Sequence, residues 1–448
     1  MRNFISFFVF LATINVFAQW QNAIIHTVDN VSGIPSTAQG IYDGMGNFYV
    51  IWETEENTDL NLYFSVRDAD GIWASSLKIA DDVLPGQSEL AAASDFAYVS
   101  YTKADQNVYL ARLEAPLTVT FNQAVVSNLA YDKFNLNLAV DADDNAHLAW
   151  AMLDIDTDEY KLYYYNNSEI GDILGANKLS FSSMGDAANP LDIAVNTSGE
   201  VTIAYIGKLF NNQQRVQIAF NTEINSTSWI YNTYFGTDDS TFGNVKALIN
   251  EGKVHYLAQG SNNYYYLQTD IGINDSWETA VIVAPSGGTL DAFAVQATNQ
   301  FHASIIGENN ELYYATNDTE TSWTNSILLD DANYLNGSLC FSPTNAINWV
   351  GIRDTEVVIF GDEVIVNNDV LTQLDNTIQL YPNPAKNFVT IQGDFIQSAK
   401  IYNAAGQIVK QQNSFSNTSI NIQDLSSGVY VVVLQTENNI YQSRLIKQ

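Results

Sequence analysis

The stretch Asn47-Phe-Tyr-Val-Ile-Trp52 decides the fold, because it is the first clear copy of a short segment that returns along the chain. Each copy is rich in aromatic and β-branched residues, which strands favour. The further copies are Phe96–Tyr101, Ala146–Trp150, Val201–Tyr205, Val254–Ala258, Phe301–Ile305 and Ile347–Gly351. Equivalent positions in successive copies are 46 to 55 residues apart. A repeat of this length indicates a unit of several strands, and each copy is predicted to be the second strand of its unit.

The rest of each unit supplies its other strands. A third strand follows every copy at a steady offset, beginning with Leu62-Tyr-Phe64 in the first unit. A tryptophan marks the predicted fourth strand in four units, at Trp73, Trp229, Trp277 and Trp323. Asn, Asp and Gly mark the turns, and helical periodicity is absent. Four short strands per unit of about 50 residues predict the blades of an all-β, seven-bladed β-propeller.

The two ends of this region are predicted to meet. The seventh unit reaches Phe360 without a fourth strand, while Trp20-Gln-Asn-Ala-Ile-Ile-His-Thr-Val28 has the pattern of the missing one. Strand 20–28 is therefore predicted to close the last blade, which removes the open sheet edges that all-β folds must protect. The resulting division is a propeller over 19–366, a linker over 367–376 and a separate domain over 377–448.

The N-terminus predicts export. Arg2 precedes a largely apolar run from Phe4 to Phe17, which is the pattern of a secretory signal peptide. The signal is predicted to span residues 1–18, with cleavage between Ala18 and Gln19. The apolar run is shorter than the roughly 20 residues that a membrane helix needs. We therefore expect no transmembrane segment.

Charge separates the predicted propeller from the C-terminal domain. The chain has 18 basic and 50 acidic side chains, and residues 19–374 hold 12 of the basic and 46 of the acidic ones. So negative a domain repels nucleic acid and anionic membranes, which excludes both as partners. An acidic surface that keeps an exported protein soluble explains the charge without any specific partner.

Three motifs occupy the last seventy or so residues. They are Tyr381-Pro382-Asn383-Pro384, Ala405-Gly406-Gln407, and Leu425-Ser-Ser-Gly428-Val-Tyr430, and the chain closes at Lys447-Gln448. In this order they resemble the type A sorting domain of the type IX secretion system of Bacteroidetes. The resemblance implies a small β-sandwich over 377–448 that is recognised by that secretion machinery. It also implies a protein that is secreted or attached to the outer cell surface, and in this family the domain is usually removed.

The blades themselves resemble sialidase-like, or BNR-repeat, propellers. The nearest approach to that family's Asp box runs from Ser65 through Asp68 and Gly71 to Trp73, and the box is a structural turn. Sialidases also need three arginines on the substrate carboxylate, because a guanidinium fork clamps a planar anion. The four arginines of the domain do not match the family positions; they are Arg67, Arg112, Arg215 and Arg353. We therefore expect a noncatalytic propeller that binds a glycan or a protein. A glycoside hydrolase or polysaccharide lyase that uses two acidic loops is the alternative.

A ligand is expected at the face made by the loops between second and third strands. Second strands run into this face with aromatic residues in four units, at Trp52, Tyr101, Trp150 and Tyr205, and the acidic Glu53 and Glu55 follow the first of them. Flat rings stack on sugar faces and carboxylates accept hydroxyl protons, so these six residues are candidates for glycan binding. Packing between blades is the alternative for the aromatic residues.

Metal binding is considered at two places. Asp154, Asp156 and Asp158 alternate along one loop, and three carboxylates so spaced are candidate ligands for calcium, the one cofactor that the sequence suggests. A solvated acidic loop is the alternative. His147 and its equivalents His255 and His302 recur in three units, where the repeat predicts structural histidines in separate blades.

Overall fold

The computed structural model describes residues 24–28, 33–56, 58–69, 71–127, 132–167, 177–179, 183–184, 189–208, 214–221, 228–234, 242–260, 263–270, 278–282, 288–319, 322–324, 326–361, 379–392, 398–402, 408–412, 419–426, 428–435 and 440–447. The chain divides into two compact units, residues 1–364 and 365–448. The fold is all-β, with no helix in the described ranges and hence no helix there that could cross a membrane. The predicted signal peptide, its cleavage site at Ala18 and Gln19, and the predicted linker lie outside the described residues.

The described part of unit 1 forms seven antiparallel sheets of successive strands. The first two are β2 (Ile34–Tyr42), β3 (Phe48–Glu56), β4 (Asp59–Arg67), β5 (Leu77–Ala80); and β6 (Val83–Ala92), β7 (Ala97–Lys103), β8 (Val108–Glu114), β9 (Thr118–Val126). The third and fourth are β10 (Lys133–Val140), β11 (Ala146–Asp154), β12 (Glu159–Asn166), β13 (Asn177–Leu179); and β14 (Leu191–Val195), β15 (Val201–Lys208), β16 (Gln214–Asn221), β17 (Ile230–Thr233). The fifth and sixth are β18 (Phe242–Asn250), β19 (Lys253–Gly260), β20 (Tyr264–Asp270), β21 (Glu278–Ile282); and β22 (Thr289–Val295), β23 (Phe301–Ile306), β24 (Leu312–Thr319), β25 (Ser322–Trp323), with β26 (Ile327–Asp330) also on β24.

The seventh sheet joins the two ends of unit 1. It contains β27 (Tyr334–Phe341), β28 (Ile347–Arg353), β29 (Glu356–Gly361) and the N-terminal β1 (Ile24–Thr27). β1 pairs antiparallel with β29, from Ile24 opposite Gly361 to Thr27 opposite Val358. The backbone N–H of Val28 then donates to the carbonyl of Val357 at 2.9 Å. The strand expected over 20–28 thus has a described part, β1, beside the last sheet.

Short polar turns connect the first strand of a sheet to the second. In the first sheet the Asp43 carboxylate accepts from the backbone N–H of Met45 at 2.9 Å and of Asn47 at 2.8 Å. Asp141 makes the same pair of bonds to Asp143 and Asn145. An Asp or Asn side chain that bonds the backbone two residues ahead stabilises such a turn. The acidic stretch from Asp141 to Asn145 is therefore a hairpin turn between β10 and β11.

The hydrophobic core lies between neighbouring sheets. One cluster joins Ile51 and Phe64 of the first sheet to Val99 and Leu113 of the second, and all four side chains are buried. Similar clusters lie between later sheets. Because both faces of these sheets are covered, their second strands are apolar on both sides rather than alternating.

One polar residue of each first strand occupies a matching position, and we call these seven residues the polar belt. They are Gln39, Glu89, Asn137, Asp192, Lys246, Asp291 and Ser338. Six of them lie opposite equivalent residues of the second strands, and Asp291 lies in a bulge beside that position. The belt thus places one polar residue at the same level of every first strand.

Side-chain to backbone hydrogen bonds join each first strand to the next, and the seventh to the first. The bonds run from Leu90 N to Gln39 Oε1 at 2.9 Å, Leu136 N to Gln87 Oε1 at 3.2 Å, Asn137 Nδ2 to Leu191 O at 3.1 Å, Ala247 N to Asp192 Oδ2 at 2.7 Å, Asn244 Nδ2 to Leu290 O at 2.7 Å, Gly337 N to Asp291 Oδ1 at 2.7 Å, and Gly40 N to Ser338 Oγ at 2.9 Å. The order of these bonds is cyclic.

Unit 2 consists of two antiparallel sheets in its described part. One contains β30 (Gln379–Tyr381), β31 (Phe388–Gln392) and β34 (Ser419–Asn421); the other contains β32 (Ser398–Tyr402), β33 (Ile408–Gln412), β35 (Gly428–Gln435) and β36 (Ile440–Lys447). Val389 and Ile391 of the first sheet share a buried cluster with Ile401, Val432 and Leu434 of the second. Two sheets with a common core are the arrangement of a sandwich.

Candidate ligand-binding site

A cavity of about 510 Å³ lies among the first strands of unit 1. All seven sheets contribute to its wall, mostly through the N-terminal halves of these strands, and Asn310 adds the turn between β23 and β24. The volume falls within the range of about 300–1,000 Å³ that small-molecule sites occupy. First and second strands are antiparallel, so the N-terminal half of a first strand lies beside the C-terminal half of the second. The cavity therefore lies at the end of the sheets where the loops between second and third strands begin.

Bulges shape this wall. The pairing of first and second strands shifts register in six of the seven described sheets, for example between Phe134 and Asn137 and between Leu290 and Ala292. Asn135, inside one of these bulges, has a φ of 53°. A bulge leaves a residue out of the ladder and turns its side chain, which is why bulges are common beside functional sites. Here they direct polar side chains of the first strands to the cavity.

Lys246 is the cationic side chain of the cavity wall, and it is half-buried. Its ammonium group has no hydrogen bond or ion pair with any residue that the structure describes. Burial would lower the pKa of Lys246, but the nearby carboxylates of Asp192, Glu89 and Asp291 raise it above its ordinary value. The lysine is therefore held as a cation, with its three N–H donors available.

Glu89 is the second half-buried charged residue of the wall with an available polar atom. Its Oε2 accepts from Gln39 Nε2 at 3.0 Å, and Oε1 has no partner in the described part of the chain. Burial raises the pKa of Glu89 to about 7, a rise that Lys246 and the Gln39 amide only partly oppose. A carboxyl group that gains or loses its proton near neutrality can donate or accept a hydrogen bond at this place.

Asp192 and Asp291 also belong to the belt, but their carboxylates hold the sheets together. Asp291 accepts from Gly337 N and Trp349 Nε1 at 2.7 Å each and from Ser304 Oγ at 2.8 Å. Burial raises the pKa of both aspartates, and Lys246 opposes the rise in each. With its acceptors engaged by protein donors, Asp291 contributes charge to the cavity rather than an open binding group.

The four aromatic residues predicted as a sugar platform are buried in the core. Trp52, Tyr101, Trp150 and Tyr205 are at most 1% exposed. Three of them stack on tyrosines of the adjacent third strand; the pairs are Trp52 with Tyr63, Tyr101 with Tyr109 and Trp150 with Tyr163, with ring centroids 6.0, 5.3 and 6.1 Å apart. A buried ring cannot stack on a sugar, so these four residues pack in the core, which was the alternative interpretation.

The two predicted acidic residues lie in different surroundings. Glu53 is fully buried, and its carboxylate accepts from Ser88 Oγ at 2.6 Å and from the backbone N–H of Gly86 at 2.9 Å. Since Gly86 and Ser88 line the cavity, Glu53 supports the wall from behind instead of facing a ligand. Glu55 is exposed on β3 and does not line the cavity.

The predicted calcium loop holds a lysine at its buried carboxylate. The Asp154 carboxylate lies 3.1 Å from Lys178 Nζ and also accepts from Thr157 Oγ1 at 3.0 Å. The Asp156 side chain is 81% exposed and Asp158 is exposed at a φ of 55°. No group of three His, Cys, Asp or Glu side chains that could hold a metal occurs in the described ranges. The Asp154 carboxylate is therefore paired with an ammonium group, and calcium binding by this loop stays a prediction.

The three equivalent histidines make the same contact in their separate sheets. His147 Nδ1 and His255 Nδ1 each lie 2.7 Å from a tyrosine hydroxyl on the third strand, Tyr164 and Tyr266, and His302 contacts Tyr314 in the same way. Burial lowers the pKa of His255 to about 4 and that of His302 to about 3. They are neutral, buried residues that join two strands.

The motif residues of unit 2 lie near its chain ends. Tyr381, Pro382, Asn383 and Pro384 are exposed, and Asn383 Oδ1 accepts from the Ile446 N–H at 2.8 Å. Ala385 bridges to Lys447, so the first motif lies beside the last strand. The Tyr430 hydroxyl donates to the carbonyl of Ser426 at 2.8 Å, next to the exposed Gly428. Gly406 lies outside the described residues.

The residues missed by the sequence analysis are Glu89 and Lys246. The sequence contains a pattern that could have revealed them, because a polar residue stands 11 to 13 positions before the matching residue of each second strand. Bulges disturb the alternation of the first strands, and the pattern is clear only once the register is known.

Comparisons with known proteins gave both family and structural likenesses. A search of curated proteins found no match. The BP39L lectin from Burkholderia pseudomallei is 11% identical, with a TM-score of 0.45 over 72% of this chain and 97% of the lectin. The Dos1 propeller is 10% identical, with a TM-score of 0.47 over 77% of this chain and 94% of its own. A Trypanosoma rangeli sialidase in complex with sialic acid is 8% identical, with a TM-score of 0.41 over 95% of this chain and 87% of its own.

The family likeness concerns unit 2. Residues 379–448 match the model of the secretion system C-terminal sorting domain, and this range contains the motifs that run from Tyr381 to Lys447. The match points to interaction with a secretion machinery and to export. The C-terminal part of this chain is therefore a secretion system C-terminal sorting domain, which points to a secreted or cell-surface location.

Proposed function

We propose that unit 1 is a closed seven-bladed β-propeller that is exported by the type IX secretion system and binds a glycan, without altering it, in the cavity among its first strands. The ring is supported by the cyclic order of the bonds between first strands, which ends with Ser338 on Gly40. The N-terminal strand beside β29 supports closure of the seventh blade.

One observation carries the binding function. Five belt residues bond to the backbone of the next first strand, but Glu89 and Lys246 do not. In these two sheets the bond is made by a residue two positions earlier, Gln87 and Asn244. The ring is thus held without Glu89 and Lys246, whose Oε1 and Nζ atoms have no partner among the described residues. A charged group without a partner costs free energy, and such groups concentrate at functional sites.

A glycan suits this wall because the lining mixes polar and apolar groups. Amide side chains such as Asn135 and Asn336 alternate with Leu136, Leu290 and other apolar residues. Sugars present hydroxyl groups at the edges of the ring and C–H groups on its faces, so both kinds of lining find a counterpart. Sites for small ligands commonly combine apolar walls with a few polar groups.

A glycan array on the full-length protein tests the binding function. We expect a restricted set of glycans to give signals, and the double variant Glu89→Gln with Lys246→Met to lose them. A matched control is Glu55→Gln with Lys208→Met, which alters one exposed glutamate and one exposed lysine outside the cavity. An array without signals would overturn the proposal.

Export is tested by deleting residues 379–448. We expect the truncated protein to be retained in the cell, because the sorting motifs are confined to the removed segment. Normal yield of the truncated protein outside the cell would contradict the assignment. Analysis of the N-terminus of the exported protein tests the predicted cleavage after residue 18.

One observation favours a second candidate, a glycan-active enzyme. Glycoside hydrolysis needs a carboxylic acid with a raised pKa and a second carboxylate, and the pKa of Glu89 is raised to about 7 in a cavity that also contains Asp291. Release of reducing ends from array-positive glycans, lost in Glu89→Gln, would favour hydrolysis over binding. Unchanged glycans after prolonged incubation would exclude it.

A further inference from the structure

The following inference rests on the proposed function and names its ligand class. We propose that the cavity selects a neutral sugar, and that Lys246 and Glu89 determine this choice by binding adjacent hydroxyl groups of one sugar ring.

The wall has charges of both signs, so a charged sugar of either sign would meet a like charge there. An acidic sugar would face the carboxyl groups of Glu89 and Asp291 in the wall, and the charge of Asp192 also acts at Lys246. An amino sugar would face the Lys246 ammonium, which has no other partner among the described residues. In a site shielded from water, like charges repel strongly because the effective dielectric constant is lower than that of water. A neutral ligand avoids both costs.

Hydroxyl groups satisfy both free side chains. The ammonium group of Lys246 only donates hydrogen bonds, while an ionised carboxylate such as Glu89 only accepts them. A hydroxyl group does both, so two adjacent hydroxyl groups can accept from Lys246 and donate to Glu89 Oε1. Below neutral pH, Glu89 carries a proton on a larger fraction of molecules and loses its purely accepting character.

The surrounding groups do not offer an equivalent pair. Asp192 accepts from the Ala247 N–H, and Asp291 accepts from three donors. Gln39 bonds both Leu90 N and Glu89. Glu53, the other carboxyl group whose charge acts on Glu89, is bonded to Ser88 and Gly86 behind the wall. Among the described residues that line the cavity, Lys246 and Glu89 are therefore the two charged side chains with polar atoms that make no hydrogen bond.

Isothermal titration of the full-length protein with size-matched oligosaccharides tests this inference. The probes are hexose, hexuronate and hexosamine oligomers with the same linkage, chosen from the linkage that gives the strongest array signal. We expect the hexose oligomer to bind at least tenfold more tightly than the other two at pH 8. Glu89→Gln and Lys246→Met should each weaken its binding at least tenfold, while Glu55→Gln and Lys208→Met leave it unchanged.

The outcomes separate this inference from the proposed function. Preference for the hexuronate or hexosamine oligomer, or tight hexose binding by both cavity variants, would overturn the neutral-sugar inference and leave glycan binding intact. Absence of binding to any probe or array glycan would overturn both. Melting curves verify that each variant is folded; if Lys246→Met is not, Lys246→Gln, which keeps a polar head group without the charge, replaces it.

Discussion

The hydroxyl group of Ser338 lies 2.9 Å from the backbone nitrogen of Gly40, a residue 298 positions earlier in the chain, and it also donates to the Gly40 carbonyl at 3.2 Å. This pair links the seventh sheet of unit 1 to the first. Both backbone groups of Gly40 lose a partner if the hydroxyl is removed.

Ser338→Ala is expected to lower the free energy of unfolding by about 1–3 kcal/mol, which is the usual cost of leaving a buried polar group without its partner. Urea unfolding at pH 7 measures the change. Ser198→Ala is the matched control, because Ser198 is exposed in a turn and its backbone N–H, not its hydroxyl, donates to Asn196 Oδ1. Equal stability of the two variants would mean that the Ser338 contact does not hold the sheets together.

Val28→Pro is expected to destabilise unit 1 more than Val28→Ala. Both variants lose the buried valine side chain, but only proline also removes the N–H that donates to Val357 O. The difference between the two melting temperatures therefore reports the contribution of this backbone contact to closure of the seventh sheet. Identical melting temperatures would show that the N-terminal strand adds little to stability.

Acid should weaken the fold through its buried histidines. The folded-state pKa of His255 is about 4, below the ordinary 6.5, so the unfolded chain binds more protons between these values. Stability from this group is present above pH 6.5 and is lost as the pH falls toward 4, with a slope of up to about 1.4 kcal/mol per pH unit. The slope for His255→Gln should be smaller than that of the parent protein. Parallel pH profiles would contradict burial of a neutral His255.

Glu89 should make the fold less stable as the pH rises, whereas His255 makes it less stable as the pH falls. Its folded-state pKa of about 7 exceeds the ordinary 4.5, so its contribution is fully present below pH 4.5 and is lost as the pH rises to 7. Glu89→Gln removes this loss, and we expect its melting temperature relative to the parent protein to rise between pH 5 and pH 8. The exposed Glu55→Gln serves as control and should show no such trend. A constant difference across this range would argue against the raised pKa.

Calcium is expected to stabilise the protein no more than magnesium does at equal concentration. Lys178 pairs with Asp154, and a divalent ion would have to displace it. General screening of the acidic surface raises stability with either ion. Thermal melts in 5 mM of each salt, repeated on Asp154→Asn, measure the difference. A calcium-specific rise that disappears in Asp154→Asn would instead support the metal site predicted from the sequence.

The second strands were the easiest part of the fold to predict. The repeat of segments such as Phe48–Trp52 follows from burial on both faces, which leaves a dense apolar and aromatic signal. The same burial misled the prediction of the site, because an aromatic residue at a strand end has the same sequence pattern whether it faces a ligand or a neighbouring sheet. Trp52 and Trp150 are covered by tyrosines that only the strand register brings beside them.

The residues proposed to bind the ligand were hidden for a different reason. Glu89 and Lys246 stand in first strands whose bulges interrupt alternation, and a side chain that faces a cavity cannot be told from one that faces bulk water by polarity alone. Glu89 and Lys246 differ from the other belt residues only by comparison between sheets, because in their sheets Gln87 and Asn244 make the contacts that the belt residue makes elsewhere. Such a substitution of roles becomes visible only when all seven sheets are superimposed.

The antiparallel pairing of β1 with β29 also determines how unit 1 responds to force. Ile24 and Gly361, the residues through which tension from the N-terminus and from the C-terminal segment would enter, are opposite each other at the same end of the ladder. Pulling on these two residues loads the hydrogen bonds one after another, like a zipper, instead of shearing them together. Mechanical unfolding between the chain ends should therefore begin at low force with the release of β1, while the six other sheets are still paired.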